Sequence, residues 1–309
     1  MDFLLIILSI VGITVTYGLP GQEIPSPLYN RGLGIYDGNS TTIQKHPYLV
    51  AVCLNNYFTC AGTIVSRTWV LTIPQCGGSL NVSEVSVLAG SQDSVTGKRY
   101  QVQRLEVHPQ YSQGDVLNVS EVSVLAGSQD SVTGKRYQVQ RLEVHPQYGQ
   151  GDVFDYEFLC IQVVGKFHWN SRIRPVRLPK SDPPVNYSMV VCGWGKDGSI
   201  SSEGNSKQQL LDGEMEWVDK AICKSWWSYR NWSDSMACAY NQGKTTLCDG
   251  DWADPFVAKG VLYGMFLFFK PESECSAGAL PVLIADVATG APWIRKVTGA
   301  KYEDEKPSQ

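Results

Sequence analysis

Hydrophobic residues along the chain fall into two kinds of pattern. Residues 1–18 are almost entirely apolar, whereas the later apolar runs are short and are separated by Gly, Pro, Asn and Ser. Short runs between turn residues are typical of antiparallel β-barrels, and an apolar run at the amino terminus is typical of a targeting segment. We therefore predict an all-β domain that follows an apolar leader.

The leader has an apolar core from Phe3 to Val15, followed by a Gly-Leu-Pro-Gly segment. This core is short for a bilayer span, and no polar face interrupts it as one would in a helix packed on a protein core. We predict that residues 1–18 are a secretory signal peptide and that the protein is extracellular. No later segment of the sequence is long and apolar enough to cross a membrane.

A segment of the chain is present twice. Leu80–Val116 recurs as Leu117–Val153, with Ser112 against Gly149 as the only difference. Each copy holds two strand-like runs around a Gly-containing turn, but two nearly identical copies are not a solenoid, which needs several divergent stacked units. We expect one copy to complete a barrel and the other to be expelled as a loop or to pair at an edge. A duplicated exon and an error in the gene model explain the identity equally well.

Composition excludes several classes of function. The net charge is -4 and there is no basic run, which argues against nucleic acid and anionic membranes as partners. Four scattered histidines and the lack of a Cys-x-x-Cys pattern argue against a metal site, and we expect no cofactor. Nine cysteines fit an oxidising, extracellular setting in which disulfides persist.

Two windows carry a resemblance to the trypsin-like serine proteases. Cys248-Asp-Gly-Asp-Trp-Ala-Asp-Pro-Phe-Val257 resembles the family's nucleophile loop, with Trp252 in the place of the serine. Cys60 to Cys76 resembles the family's histidine motif, with Gln75 in the place of the histidine. An indole cannot attack a carbonyl, and an amide cannot act as a general base near neutral pH. The resemblance therefore implies a protease homologue of insect type that lacks catalysis.

The third member of the family's catalytic triad is retained. Asp155 begins a segment that resembles the family's aspartate motif, where this residue orients the histidine. His108 and His145, one in each copy of the duplication, stand where the family has a structural histidine. We do not expect either to replace the base, because no nucleophile is present beside it.

The resemblance covers the chain from about Ile35 to Lys296, in the family's order. It implies two six-stranded antiparallel Greek-key β-barrels and a short carboxy-terminal helix that begins near Val287. The expected organisation is a pro-segment or linker over 19–34, a domain over 35–298 and a polar tail over 299–309, of which we expect Lys301 to Gln309 to fray. Its further landmarks are Ile35-Tyr-Asp-Gly38, Gly193-Trp-Gly195, Met236-Ala-Cys238 and Pro281 to Ile294.

The family's other site positions are also changed. The oxyanion hole would use backbone N–H groups of Gly250 and Trp252, but Ala253 and Asp254 replace two glycines, so we expect a distorted loop. The specificity pocket would hold uncharged Thr246, and Phe269 and Val282 would fill its walls. In the family, a freed amine at the position of Ile35 pairs with the acid at Asp251. Gly34 precedes Ile35, so we expect either another partner for Asp251 or trimming by a different protease.

The family pattern implies three disulfides, Cys60–Cys76, Cys223–Cys238 and Cys248–Cys275. Cys53, Cys160 and Cys192 are left over, and we favour buried thiols over an intermolecular disulfide. Five Asn-x-Ser/Thr patterns are candidate glycosylation sites, and we expect some to be used: Asn39, Asn81, Asn118, Asn186 and Asn231.

Three functions remain open at this point. The leading hypothesis is a secreted, non-catalytic homologue that binds a protease, its substrate or an inhibitor. The second is an unusual hydrolase that uses Asp249, Asp251 and Asp254, since paired carboxyl groups can hydrolyse bonds when their pKa values differ. The third is a degenerate paralogue without function.

Overall fold

A computed structural model of the chain describes residues 35–54, 57–77, 85–89, 98–100, 123–126, 135–195, 210–270 and 280–306. The predicted signal peptide, the linker at 19–34, two candidate glycosylation sites (Asn81 and Asn118) and Cys275 lie outside the described residues. In the described part, no helix is long and apolar enough to span a membrane.

The first barrel is a closed ring of six strands. The ring runs β2-β3-β4-β9-β8-β7 and closes through pairing of β2 with β7, while β5 and β6 pair beside it. The strands are β2 (Leu49–Leu54), β3 (Tyr57–Ile64), β4 (Trp69–Thr72), β5 (Val85–Ala89), β6 (Lys98–Tyr100), β7 (Ser123–Ala126), β8 (Lys135–Val144) and β9 (Leu159–Val163).

The second barrel is also a closed six-stranded ring. It runs β11-β10-β13-β14-β15-β12 and closes where Glu216 and Trp217 pair with Tyr240 and Ala239. Its strands are β10 (Ser188–Gly193), β11 (Leu211–Trp217), β12 (Met236–Tyr240), β13 (Pro255–Ala258), β14 (Val261–Phe268) and β15 (Val282–Asp286). The predicted two-barrel, all-β architecture is thus confirmed.

Local sequence explains why these segments form strands. Met215 and Trp217 of β11 are buried, and Glu214 and Glu216 between and beside them are exposed. This alternation places one face of the strand on the core and the other in solvent. Strand β15, by contrast, is buried at every position, and it lies between two other strands, β14 and β12.

Two helices follow strands of the second barrel. Helix α1 spans Lys220–Trp226, and the side chain of Asp219 accepts hydrogen bonds from the first free N–H groups of the helix. Helix α2 spans Val287–Thr298 and is capped in the same way by Asp286. Gly299 ends α2 with a left-handed φ of 67°, a backbone conformation that glycine adopts without a steric cost.

Each barrel is contacted by a segment from the opposite end of the chain. Strand β1 (Asn39–Ser40), which precedes the first barrel, pairs with β11, and His46 Nε2 lies 2.8 Å from the Asp212 carboxylate. Helix α2, which follows the second barrel, places the ring of Trp293 4.8 Å from that of His145. The barrels are therefore connected by more than the chain between them.

The polar tail is docked rather than frayed over its described part. The Leu178 N–H donates to the Lys301 carbonyl at 2.8 Å, and the Glu303 N–H donates back to the Leu178 carbonyl at 2.9 Å. Arg295 also pairs with Glu305. Our prediction that this tail frays was wrong for residues 301–306, because its backbone finds a partner 123 or more positions away in sequence.

Both copies of the duplication contribute strands. The first copy supplies β5 and β6, and the second supplies β7 and β8. The long strand β8 pairs with β9 from Val139 to Val144, which ties the second copy into the ring. The first copy pairs at the same side of β2 as β7. Strand β5 pairs with Val50, Ala51 and Leu54, on both sides of the two residues that pair with β7.

Candidate functional site

Gln75 lies in a short helical turn, Pro74–Gly77, that follows β4. The disulfide between Cys60 and Cys76 joins this turn to β3, and the side chain of Gln75 itself is exposed. The disulfide at the neighbouring residue, Cys76, therefore fixes the position of Gln75 at the surface.

Trp252 lies in the loop between β12 and β13. Its carbonyl accepts a hydrogen bond from the Ala61 N–H of β3 at 2.9 Å, so the loop is bonded to the first barrel. Its indole Nε1 donates to the Asp249 carboxylate at 3.3 Å. The indole ring stacks on Phe266, Phe268 and Phe269, with centroid distances of 5.5, 6.0 and 6.4 Å. The side chain is therefore held in one orientation by rings on one side and a carboxylate on the other.

A cavity of about 560 Å³ brings Gln75, Gly250 and Trp252 together. Its walls are mostly apolar, and Asp249 is the one acid among the residues that line it. The full lining is Phe58, Thr59, Cys60, Gln75, Val153, Phe154, Asp249, Gly250, Trp252 and Phe268. In this described lining there is no histidine, lysine or free thiol.

Asp155 is buried outside this lining. Its Oδ2 accepts a hydrogen bond from the Asp152 N–H at 3.1 Å, and its own N–H donates to the Asp152 carbonyl at 2.9 Å. Oδ1 is buried and has no hydrogen-bond partner in the part of the chain that the structure describes. The carboxylate that a histidine would need is thus present and partly satisfied by the backbone of its own loop.

The predicted pocket residues are all buried in the core of the second barrel. Thr246 is 2% exposed, Phe269 9% and Val282 0%. Phe269 stacks on Phe266 with centroids 6.2 Å apart, and all three predicted residues lie outside the open cavity. Side chains of the barrel itself thus occupy these positions, and the filling of a specificity pocket by Phe269 and Val282 stays a prediction.

Ile35 and Asp251 are both buried, and Asp251 Oδ2 accepts the Cys248 N–H at 2.7 Å. Full burial raises the pKa of Asp251 to about 7. Burial, together with the nearby Asp251 charge, also raises the pKa of Asp254, whose carboxyl group lies against the backbone of Gly193.

Two residues of the loop have a positive φ. Gly250 has a φ of 97°, and Ala253, a residue with a Cβ, has a φ of 63°. A left-handed conformation costs a residue other than glycine about 1–2 kcal/mol. The Ala253 N–H donates to the Phe266 carbonyl at 3.0 Å, which helps to hold the turn. The role of Gly250 and Trp252 N–H groups in an oxyanion hole stays a prediction.

The three acids of the alternative hydrolase are not brought together in one open site. Asp249 lines the cavity, but Asp251 and Asp254 are completely buried and lie outside the lining. A substrate in the cavity would therefore meet one carboxylate and not a pair.

The cysteines and the described glycosylation candidates lie as follows. Cys60–Cys76 and Cys223–Cys238 form the expected disulfides, and Cys248 is also disulfide-bonded. Cys160 and Cys192 are free thiols and are buried, as we favoured. The three described candidate glycosylation sites, Asn39, Asn186 and Asn231, are exposed.

Sequence reasoning missed the aromatic side chains that form the cavity walls. Phe58, Phe154 and Phe268 come from three distant parts of the chain. Arg230 supports two of them, because its guanidinium lies 4.6 Å from the Phe154 ring centroid and 5.9 Å from that of Phe268. No local pattern marks these residues, although the cluster of aromatic and basic residues from Lys224 to Trp232 was a visible signal.

The sequence profile of the family described as Trypsin matches residues 35–120 and 114–294. The chain belongs to the trypsin family. The two matched segments overlap across the junction between the two copies of the duplication, as expected if each copy matches the same part of a trypsin.

Similar trypsin-family proteins include insect enzymes. Trypsin 5G1 of Aedes aegypti is 23% identical over 86% of this chain and 85% of its own length. Trypsin of Sarcophaga bullata is 27% identical over 88% of this chain and 91% of its own length. The trypsin-like domain therefore accounts for most of the chain.

Solved structures show the same trypsin fold. Neuropsin, a serine protease of mouse brain, has a TM-score of 0.62 at 19% identity and covers 84% of this chain and 98% of its own. The scabies mite inactivated protease paralogue S-D1 has a TM-score of 0.63 at 18% identity, covering 88% and 100%. At these identities the likeness concerns the fold alone, so the chemistry must be argued from the residues of the cavity.

Proposed function

We propose that this trypsin-family chain is a secreted, non-catalytic homologue that acts by binding a protease, its substrate or an inhibitor. The observation that carries the proposal is the placement of Gln75 and Trp252 in one cavity. Covalent proteolysis needs an activated hydroxyl or thiol beside a base, and neither residue supplies one. The apolar leader and the disulfides support secretion.

The cavity walls indicate what the chain would bind. Phe58, Phe154, Trp252 and Phe268 offer ring faces and edges, and Asp249 is the one charged group in the described lining. Ring faces favour apolar or cationic groups, and a carboxylate disfavours anions. We infer that the bound segment inserts an apolar or a positively charged side chain, and not an acidic one.

The cavity is also held ready for a partner. Trp252 is stacked on three phenylalanines, and Arg230 packs over Phe154 while it pairs with Asp152. A site whose side chains are already ordered loses less conformational entropy when it binds. This rigidity supports recognition of a preformed loop on another protein.

Binding is tested with two matched substitutions. Val153 lines the cavity and is 58% exposed, whereas Val185 lies outside the lining and is 51% exposed. Val153→Asp should weaken capture of a stoichiometric partner from the native fluid at least tenfold, and Val185→Asp should leave it unchanged. Equal capture by both variants, or no stoichiometric partner at all, would overturn binding through this cavity.

The absence of catalysis is tested separately. The intact protein should not be labelled by an organophosphonate probe that reacts with activated serines, and it should turn over no member of a broad peptide library. An active trypsin and the same trypsin with its nucleophilic serine replaced serve as positive and negative controls. Labelling or turnover above the negative control would contradict the non-catalytic part of the proposal.

A further inference from the structure

Another cavity, of about 380 Å³, lies on the second barrel beside β1. Its lining shares no residue with the cavity at Gln75 and Trp252. Asp37 and Asn39 line one side of it, and β11 and the loop that follows β12 line the other. The cavity therefore lies where the segment that precedes the first barrel meets the second barrel.

Most side chains that line this cavity are polar. They include the carboxylates of Asp37, Asp212 and Glu214, the amide of Asn241 and the ammonium group of Lys244. Carboxylates accept hydrogen bonds, an ammonium group donates them, and an amide does both. A ligand with several hydroxyl groups can pair with all three kinds of group. Cavities of about 300–1,000 Å³ hold small organic ligands, so this one is large enough for one sugar residue.

Asn39 is both a lining residue of this cavity and a possible attachment point for a sugar. Asn39-Ser-Thr is an Asn-x-Thr pattern, and Asn39 is exposed. Asn39 pairs with Asp212 in the ladder between β1 and β11, so the two side chains lie on the same face of the sheet. A group attached to Asn39 therefore starts at the cavity. The other described candidates, Asn186 and Asn231, lie outside this lining.

We propose that Asn39 carries an N-glycan and that the first N-acetylglucosamine of this glycan occupies the cavity. Attachment forms a bond between Nδ2 of Asn39 and C1 of the sugar. The C1–O bond to the diphosphate of a lipid-linked oligosaccharide breaks, and Nδ2 loses one proton. Because this donor belongs to the secretory pathway, the inference rests on the secretion in the proposed function. It does not rest on binding at the cavity that contains Gln75.

The attached sugar strengthens the contact between β1 and the second barrel. Strand β1 has two residues and forms two residue pairs with β11. A sugar that is bonded covalently to Asn39, and by hydrogen bonds to Lys244 or Glu214, adds contacts across the same junction. Each net hydrogen bond should slow the local opening of β1 by about fivefold.

Hydrogen exchange in the secreted protein tests the proposal. The reporter is the Thr41 N–H, which donates to the Leu210 carbonyl at 3.1 Å next to β1. Three forms are compared: the complete glycoprotein, the same protein trimmed by an endoglycosidase to a single N-acetylglucosamine, and the variant Asn39→Gln. We expect exchange to be about fivefold slower in both sugar-bearing forms than in Asn39→Gln, because the first sugar alone contacts the cavity.

Two results would overturn the proposal directly. One is an unmodified Asn39 in the secreted protein, as determined by mass spectrometry of its peptides. The other is a single-sugar form whose Thr41 N–H exchanges as fast as that of Asn39→Gln. Slow exchange in the complete glycoprotein alone would mean that the outer sugars shield the surface without a sugar in the cavity.

Matched variants test the contribution of the cavity. Lys244→Ala should at least halve the effect of the single sugar on exchange, whereas Lys224→Ala, at an exposed lysine of α1 outside the lining, should leave it unchanged. Asn186→Asp removes another candidate site and keeps a residue type that tolerates the left-handed φ of 63°. It should not alter exchange of the Thr41 N–H.

Equal effects of the two lysine variants, or faster exchange in Asn186→Asp to the extent seen in Asn39→Gln, would also overturn the proposal. None of these substitutions lies in the lining of the cavity at Gln75. Capture of a partner should therefore be the same in all of them. A failure of this inference is thus distinguished from a failure of the proposed binding function, which Val153→Asp tests.

Discussion

The two barrels differ in how their strands are specified. In the second barrel each strand position has one occupant, and its strands pair in defined registers around a closed ring. In the first barrel the edge of β2 has two candidate occupants of almost identical sequence. The cavity draws on both barrels, with Gln75 beside the first and Trp252 in a loop of the second, and Val153 of the duplication also lines it. The ambiguity of strand pairing is therefore confined to one barrel, whereas the site depends on both.

The two barrels also differ in their buried titratable groups, because burial raises the pKa of an acid in one and lowers the pKa of a base in the other. Burial raises the pKa of Asp251 in the second barrel to about 7 and lowers the pKa of His145 in the first to about 4. Both groups are kept uncharged by the folded state. An acid kept uncharged destabilises the fold as pH rises, and a base kept uncharged destabilises it as pH falls.

The largest expected effect concerns the second barrel. The folded-state pKa of Asp251 lies near 7, above its ordinary value of 3.8. Its contribution to stability is therefore full below about pH 4 and is lost as pH rises to about 7, by about 4 kcal/mol in total. Asp251→Asn should reduce this loss and leave the part that comes from Asp254, whose pKa is also raised by burial, as measured by urea unfolding at a series of pH values. Asp249→Asn, at an exposed acid two residues away, should keep most of it, because burial raises the pKa of Asp251 more than the Asp249 charge does. An unchanged slope in Asp251→Asn would contradict the prediction.

The next effect concerns the first barrel. His145 stacks on Tyr156 at 4.5 Å, and burial lowers its pKa from 6.5 to about 4. The unfolded chain therefore gains protons first, and about 3 kcal/mol of stability is lost as pH falls from 6.5 to 4. His145→Gln should flatten this loss. His108→Gln, in the other copy, should leave the pH profile unchanged, and equal effects of the two substitutions would break the distinction between the copies.

The smallest effect tests the duplication itself. Deletion of residues 80–116 and deletion of residues 117–153 yield chains that differ only by Gly or Ser at the same position. Both should fold with one occupant at β2, which removes the difference between the barrels. The chain that retains Ser112 should be less stable by about 1–2 kcal/mol because of the left-handed φ. Equal free energies of unfolding in urea would show that the left-handed φ of Gly149 does not distinguish the two copies.

Motifs and their order were enough to predict the two barrels, two complete disulfides and the start of α2 at Val287. These features depend on local patterns or on spacing that the family retains. The docking of the tail on Leu178 and the convergence of Phe58, Phe154 and Phe268 could not be predicted. They depend on contacts between residues far apart in sequence, for which a single sequence contains no periodic signal.

The duplication shows a different limit of sequence reasoning. Periodicity predicted the strands of both copies equally, since their sequences agree at every strand position. Gly149, at the one position where the copies differ, has a left-handed φ of 68°, and its N–H donates to the carbonyl of Asp155 outside the repeat. The sequence difference was visible, but its left-handed φ was not.

Strand β1 and helix α2, which each contact the barrel nearer the opposite end of the chain, affect how the molecule unfolds. Strand β1 lies on the second barrel although it precedes the first, and α2 contacts the first although it follows the second. Neither barrel can lose its structure without releasing a segment that belongs to the other end of the chain. The two barrels are therefore coupled into one cooperative unit, and they should melt together in a single transition.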